Sequence, residues 1–351
     1  MPHIRHLFVT LLTACTVGGD APSDTDTERA LAPTCVEVGS PYTHDDTLSI
    51  ADIQALGTHN SYHLRPPNPL VPEYNYDHAP LDEQLALGVR AVELDLHRRV
   101  DGSFSVAHLP HIDPGTTCDA FSECLGVMLT WSLANPCHAP LMVWLEPKDL
   151  DVDATFPDEY QTYVGQESAI DDELRAVWPP EKLFEPDELR GSHATLPEAV
   201  TQDGWPTLGA MRGQALFAML DSDEHRAAYV TETPNLAGRA MFVDSDSASD
   251  PFAATFKIDN AVGDAAKVTD LVGQGFVVTS NVGGAGADPT ANDAEFAATL
   301  AAGANYLATD APGVVGDTTK DFIPGGAPAR CNLVRDEAGC VATDIEALPA
   351  P

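Results

Sequence analysis

Positive charge is what this sequence has least of. Its 351 residues carry 18 lysines and arginines against 54 aspartates and glutamates, a formal net charge of −36. Nucleic acid requires a basic footprint, so it is excluded as a partner. An anionic lipid surface is repelled too, unless divalent cations screen it. No apolar run is long enough to span a bilayer as a helix. The G-x-S-x-G elbow of serine hydrolases is missing, and so is the H-E-x-x-H of zinc peptidases. The glycine-rich "NVGGAGAD" (Asn281 to Asp288) lacks the Lys-Ser/Thr pair of a P-loop and reads as a loop. Internal repeats are absent, and nothing points to an obligate protein partner.

The amino terminus is informative. "MPHIRHLFVTLLTAC" has a basic start, an apolar run from Leu7 to Leu12, and small residues before Cys15. That is a secretory signal. "LTAC" resembles a bacterial lipobox, which implies cleavage after residue 14 and lipidation of Cys15; the alternative is an ordinary signal peptide containing a cysteine. The chain is thus expected to be exported, as an envelope-anchored bacterial lipoprotein or a secreted protein. Residues 15–34, rich in Asp, Thr, Ala, Pro and Gly, read as a tether. With Cys15 set aside, Cys35, Cys118, Cys124, Cys137, Cys331 and Cys340 remain of the seven cysteines. An even number in an exported chain suits three disulfides. Cys118 with Cys124 and Cys331 with Cys340 are the nearest pairs, but spacing alone leaves the connectivity open.

Between 35 and 320, short apolar stretches alternate with helix-like ones. Strands are predicted at 50–57, 90–96, 103–108, 140–146, 214–220, 239–243, 275–280 and 304–309. Helices are predicted at 80–87, 120–133, 169–177, 223–230, 261–273 and 290–302. This alternation predicts an α/β fold with a parallel sheet, and eight strands fit a single (β/α)8 TIM-type barrel. The barrel is imperfect, because only "HRRVDGS" separates the second and third predicted strands. A long insertion, about 147–212, follows strand four and is expected to form a lid or substrate wall. Residues 321–351 read as a tail that a disulfide could pin.

Candidate chemistry clusters at the ends of the first four predicted strands. In "RAVELDLHRR", Val92, Leu94 and Leu96 share one face, and Glu93, Asp95 and His97 the other. An amphipathic edge strand would give the same pattern. In a barrel the acidic face points inward, where two carboxylates require a cation or a proton; a hard ion such as Ca²⁺ or Mg²⁺ suits them. "LMVWLEPKD" places Glu146 at its strand's end, with Lys148 placed to neutralise a phosphate or to pair with Asp149. "GTHNSYH" ends the first strand with His59 and Asn60, Gly57 admitting a tight bend. His63 has no evident partner and reads as structural or as a substrate-side loop residue. "SFSVAHLPH" supplies His108. Two histidines beside an oxygen-ligand metal site are the parts of metal-assisted phosphoryl transfer.

These motifs resemble the bacterial, secreted, Ca²⁺-dependent phosphoinositide (phosphatidylinositol-specific) phospholipase C family, within the phospholipase-C-like TIM-barrel phosphodiesterases. The likeness rests on "THNSYH", "ELD", "VAHLP" and "WLEPKD", with "PDELRG", "WPTLGAMRGQALFAML" and "GANYLATDAP" in support, across about residues 50–313. It implies His59 and His108 as catalytic histidines, and Asn60, Glu93, Asp95 and Glu146 as ligands of Ca²⁺, with Mg²⁺ the second choice. Glu93 would double as base, and Lys148 would bind substrate, a phospholipid or other phosphodiester at a membrane or micelle surface. Two departures stand out. "VVTSNVGG" lacks the arginine expected on strand seven, and strand five lacks the lysines that bind extra ring phosphates in eukaryotic relatives. One alternative is a glycerophosphodiester phosphodiesterase, which "GVRAVELDLHRRVDGSFSVAH" would also suit, although its "HRG" and "ENT" are missing. The other is a non-catalytic Ca²⁺-binding surface lipoprotein.

Overall fold

In the computed structural model, which describes residues 34–149, 158–220, 223–284, 289–310, 327–335 and 340–347, the run "IQALGT" forms the first strand, β1 (Ile53–Thr58), buried along its whole length. The other strands are β2 (Val89–Arg98), β3 (Phe104–Val106), β4 (Leu141–Pro147), β5 (Ala215–Met219), β6 (Phe242–Val243), β7 (Thr255–Lys257), β8 (Val277–Asn281), β9 (Tyr306–Thr309) and β10 (Ala329–Cys331). Eight of them run parallel in the order β6-β5-β4-β2-β1-β9-β8-β7. The seam between β6 and β7 is held by a single parallel bridge, Asp244 to Thr255. Side chains reinforce it: Thr255 Oγ1 donates to the Val243 carbonyl at 2.8 Å, and the Lys257 amide donates to Asp244 Oδ1 at 2.7 Å. The result is a nearly closed α/β barrel of TIM type.

The expected strand count holds, but the set differs. The predicted third strand, 103–108, contributes β3, which folds back antiparallel on the upper end of β2, pairing Leu96 with Val106 and Arg98 with Phe104. It is a hairpin arm, not a stave. The missing stave is β7, whose three residues are too few to display alternation. The predicted helices appear within a few residues of their expected bounds, for example Phe121–Ala134, Ser168–Val177 and Ala265–Gly273.

Buried polar side chains staple the amino-terminal end of the barrel. The Asn305 amide donates to the carbonyls of Ala51 and Ile53 at 2.9 and 3.1 Å and accepts from the Val278 amide at 2.9 Å, tying β1, β8 and β9 together. The described part of the stretch read as a tail packs here. Strand β10 runs antiparallel to β1, and Glu346 makes a buried two-pronged ion pair with Arg90 at 2.6 and 2.9 Å. Disulfides join Cys118 to Cys124 and Cys331 to Cys340, the two nearest pairs, and Cys35 to Cys137 across 102 residues. Residues 1–14, Cys15 and most of the tether lie outside the described residues.

Gly57 serves a different purpose from the expected bend. It lies within β1 in ordinary strand backbone, and the register with β2 shifts between Leu56 and Gly57. A Cβ there would sit 3.0 Å from the Ala91 Cβ and 3.2 Å from the Ala308 Cα. The glycine lets three staves approach directly beneath His59 and Asn60. Gly57→Ala is therefore expected to cost about 1–3 kcal/mol by overpacking, measured as a lower denaturant midpoint with an unchanged slope; an unshifted midpoint would show that the staves can part.

Candidate active site

Strands β2 and β4 pair in step, Glu93 opposite Trp144 and Asp95 opposite Glu146. The pleat turns Glu93, Asp95, Trp144 and Glu146 to one face. Trp144 crosses the barrel beneath the site and donates from Nε1 to Thr279 Oγ1 at 2.9 Å. Above it, carboxylate oxygens of Glu93, Asp95 and Glu146 lie within 4.8 Å of one another. Glu93 and Asp95 are fully buried. Lys257 sets its ammonium on Glu93 Oε2, and Lys148 sits on Glu146 Oε1, 3.4 Å from Asp95 Oδ2. Neither Asp95 oxygen accepts a hydrogen bond.

The electrostatics follow from crowding. Burial pushes the Asp95 carboxyl well above the usual carboxylate range, with Lys148 opposing it. Burial likewise raises Glu146. At Glu93 burial pulls upward as well, but Lys257 and His59 outweigh it and hold the group below its ordinary value. Buried carboxylates with orphaned oxygens demand a cation or a proton. The all-oxygen donor set fits a hard divalent ion such as Ca²⁺.

Asn60 reaches this region from β1 in left-handed backbone, φ 45°, which asparagine tolerates better than most residues. It is buried, and Tyr62 donates its hydroxyl to Asn60 Oδ1 at 3.3 Å. The turn is bolted to β2. The Ser61 amide donates to the Glu93 carbonyl at 3.0 Å, and Ser61 Oγ accepts from the Glu93 amide at 2.8 Å. Asn60 and Glu93 are thereby held in one rigid unit.

The two expected histidines sit in opposite environments. His59 has Asp310 Oδ1 at 2.6 Å from Nδ1 and Glu93 Oε1 at 3.4 Å from Nε2. Burial pulls it down, but Glu93 and Asp310 prevail and raise it from 6.5 to about 9, so it is an imidazolium at neutral pH. His108 has Asp113 Oδ2 at 2.9 Å from Nδ1. There burial prevails over Asp113, and the group is held below 6.5. His97 shares the inward face with Glu93 and Asp95, yet it spends Nε2 on the Ala107 carbonyl at 3.0 Å and is pushed by burial to about 4. It is structural. His63 is fully buried and does have a partner: its Nε2 lies 2.9 and 3.0 Å from the two Asp113 oxygens. It is therefore not a substrate-side loop residue.

Four neighbours escaped the sequence reading: Lys257, Asp310, Asp113 and the role of His63. Asp310 directly follows the predicted strand 304–309, and Asp113 comes five residues after His108. Those positions were the available signals. Lys148 pairs with Asp95 and Glu146, not with Asp149. Asp149 instead lies 3.2 Å from His225 Nε2, whose Nδ1 meets Glu167 Oε1 at 2.9 Å. This triad ties the stretch after β4 to the helix Glu224–Thr231. Described residues of the same stretch pair with the β2–β3 hairpin, the Val100 amide donating to the Glu159 carbonyl at 3.0 Å and the Gln161 amide to the Arg98 carbonyl at 2.9 Å. Beside His59, a cleft of ≈190 Å³ is lined by Asp259, Asn281, Glu295, Thr309 and Asp310 among others, with no lysine or arginine among the described residues. Asn281 ends the strand where an arginine was expected.

The family described as "Phosphoinositide phospholipase C, Ca2+-dependent" matches residues 48–105 and 99–333. Among solved structures, the fold is similar to that of a Ca²⁺-dependent phosphatidylinositol-specific phospholipase C from Streptomyces antibioticus. That match has TM-score 0.55 and 20% identity, and covers 76% of this chain and 97% of the other. A calcium-dependent phosphoinositol-specific phospholipase C from a Gram-negative Pseudomonas sp. matches with TM-score 0.57 and 17% identity, covering 82% and 96%. No curated protein matches by sequence.

The triad around His225 generates a pH prediction. Burial lowers His225, but Asp149 and Glu167 outweigh burial and raise it from 6.5 to about 9. A group whose folded value lies above its unfolded one stabilises fully below the unfolded value, and that contribution fades as pH rises through the folded value. His225→Gln is therefore expected to lower the thermal midpoint most at about pH 6, with the deficit shrinking as pH climbs past about 9. Thermal unfolding of both proteins across that range is the check; a deficit independent of pH would assign His225 a packing role alone.

Proposed function

The chain belongs to the Ca²⁺-dependent phosphoinositide phospholipase C family, and from that premise we propose that it cleaves a phosphatidylinositol-type phosphodiester to diacylglycerol and inositol phosphate, by way of the cyclic phosphate. The observation that carries this reading is the pairing, at one barrel mouth, of a three-carboxylate cluster with two histidines that each have a carboxylate on Nδ1.

Asn60, Glu93, Asp95 and Glu146 would hold Ca²⁺. Bound there, the ion supplies positive charge that acidifies the inositol 2-hydroxyl and stabilises the charged transition state. The chain's own groups do the rest. Glu93, the carboxylate held low, accepts the hydroxyl proton. His59, an imidazolium braced by Asp310, donates a hydrogen bond to the phosphoryl oxygen. His108 keeps its Nδ1 hydrogen on Asp113, so proton exchange runs through Nε2. For the transfer step His108 acts from its imidazolium form: Nε2–H protonates the departing diacylglycerol oxygen, and the bare Nε2 then takes a proton from the water that opens the cyclic phosphate while Glu93 returns its proton to the inositol 2-oxygen. Lys148 meets the phosphate charge. The cleft beside His59, lined by acids and neutral groups, favours a head group without extra ring phosphates.

Three disulfides suit an oxidising compartment and support export. Lipidation at Cys15 remains part of the proposal. The substrate surface would be a membrane or micelle presenting the lipid.

With phosphatidylinositol vesicles and added Ca²⁺, ³¹P NMR is expected to show cyclic inositol phosphate first, and chelation is expected to stop turnover. His108→Ala should lower kcat by about 10²–10⁴-fold. Chelator-insensitive turnover would contradict the metal assignment. Release of glycerol phosphate from a deacylated diester, with phosphatidylinositol untouched, would contradict the substrate.

A further inference from the structure

His63 and Asp113 are both fully buried, and Asp113 faces two imidazoles at once. Its Oδ2 lies 2.9 Å from His108 Nδ1 and 2.9 Å from His63 Nε2; its Oδ1 lies 3.0 Å from His63 Nε2. On the far side, His63 Nδ1 lies 3.1 Å from the Tyr76 carbonyl oxygen. A carbonyl oxygen only accepts, so His63 Nδ1 carries hydrogen, and one further hydrogen is shared between His63 Nε2 and Asp113. Asp113 is thus held by His63 on one side and by His108 on the other.

The surroundings fix this arrangement. Tyr76 stacks on His63 with ring centroids 4.1 Å apart. The His63 amide donates to the Asn60 carbonyl at 2.8 Å, and the His78 amide donates to the His63 carbonyl at 2.9 Å. His111, with φ 72°, turns the loop so that Leu109 and Asp113 bridge each other, which returns Asp113 beside His108. The groups that face His108 are Asp113, His63 and Lys148, with His97 and the Tyr74 ring nearby. A buried carboxylate with only His108 for company would draw a proton onto that imidazole or rotate away from it.

We infer that His63 is a positioning residue: it locks and neutralises Asp113, so that Asp113 accepts from Nδ1–H of His108 and leaves His108 Nε2 directed to substrate. This rests on the reading of His108 as the proton-transfer group of the proposed function. The chain of contact is His63–Asp113–His108, with only its last member touching substrate.

The test combines a spectrum with kinetics. ¹⁵N–¹H spectra of the substrate-free protein, taken above the pH limb of His108, are expected to show hydrogen on both His63 nitrogens, and the Nδ1–H tautomer at His108. In His63→Gln, which keeps one donor but no charge, His108 should show mixed tautomers. Its kcat on phosphatidylinositol should fall about 10-fold with KM little changed, and the pH limb assigned to His108 should move up by about 1 pH unit. His63→Phe should fall further. In that pH range a parent spectrum with a bare His63 nitrogen, or with Nε2–H and a bare Nδ1 at His108, would overturn the inference whether or not the variants fold. So would a His63→Gln protein that keeps tautomer, kcat and pH limb. If the parent leaves phosphatidylinositol intact but gives the expected spectrum, the functional reading fails and the positioning role stands.

Discussion

Three carboxylates packed into one wall, two of them fully buried, set the terms for everything else at the barrel mouth. Like charges at this spacing repel by several kcal/mol at the effective dielectric of a protein interior, roughly 4 kcal/mol for a pair 4 Å apart. The chain answers with Lys148, Lys257 and the His59 imidazolium, drawn from β1, β7 and the end of β4. Even so, both oxygens of Asp95 stay unsatisfied. The protein keeps a costly arrangement that well-packed apolar residues would make cheaper. The proposed uptake of a divalent cation gives a physical reason to keep it.

The barrel makes the arrangement possible. In-step pairing of β2 with β4 puts Asp95 across from Glu146, and the pleat brings Glu93 to the same face. Ser61 bolts the turn bearing His59 and Asn60 to the backbone of Glu93. Gly57 then allows β1 to lie close against its two neighbours. The two histidines diverge through environment alone. Two carboxylates make His59 cationic, whereas burial keeps His108 the weaker base despite Asp113. Groups of one type pushed in opposite directions suit the proposed acid–base division of labour.

Much of this was legible in the residues. The alternation in "AVELDL" and the acid ending "WLE" pointed inward once a barrel was inferred, and both motifs meet in the structure. The barrel's strand count came out right for a mixed reason. β3 alternates as a stave would, but its five-residue connection, 99–103, allows only a hairpin; β7 is a stave of three residues, too short to signal itself. Missing β7 meant missing Lys257, although that lysine contacts a proposed metal ligand. Asp113 and Asp310 sit on loops, where no periodicity reveals which way a side chain turns. His63 was set aside because its partner lies 50 residues away. Long-range pairing of that kind is a property of the fold.

The central claim is that the carboxylate cluster exists to hold a cation. Calorimetric titration of the purified protein with Ca²⁺ addresses it directly, with no substrate present. The account predicts one binding event per chain in the parent, abolished or weakened at least about 10-fold in Asp95→Asn. No binding by the parent, or equal affinity in Asp95→Asn, would contradict it.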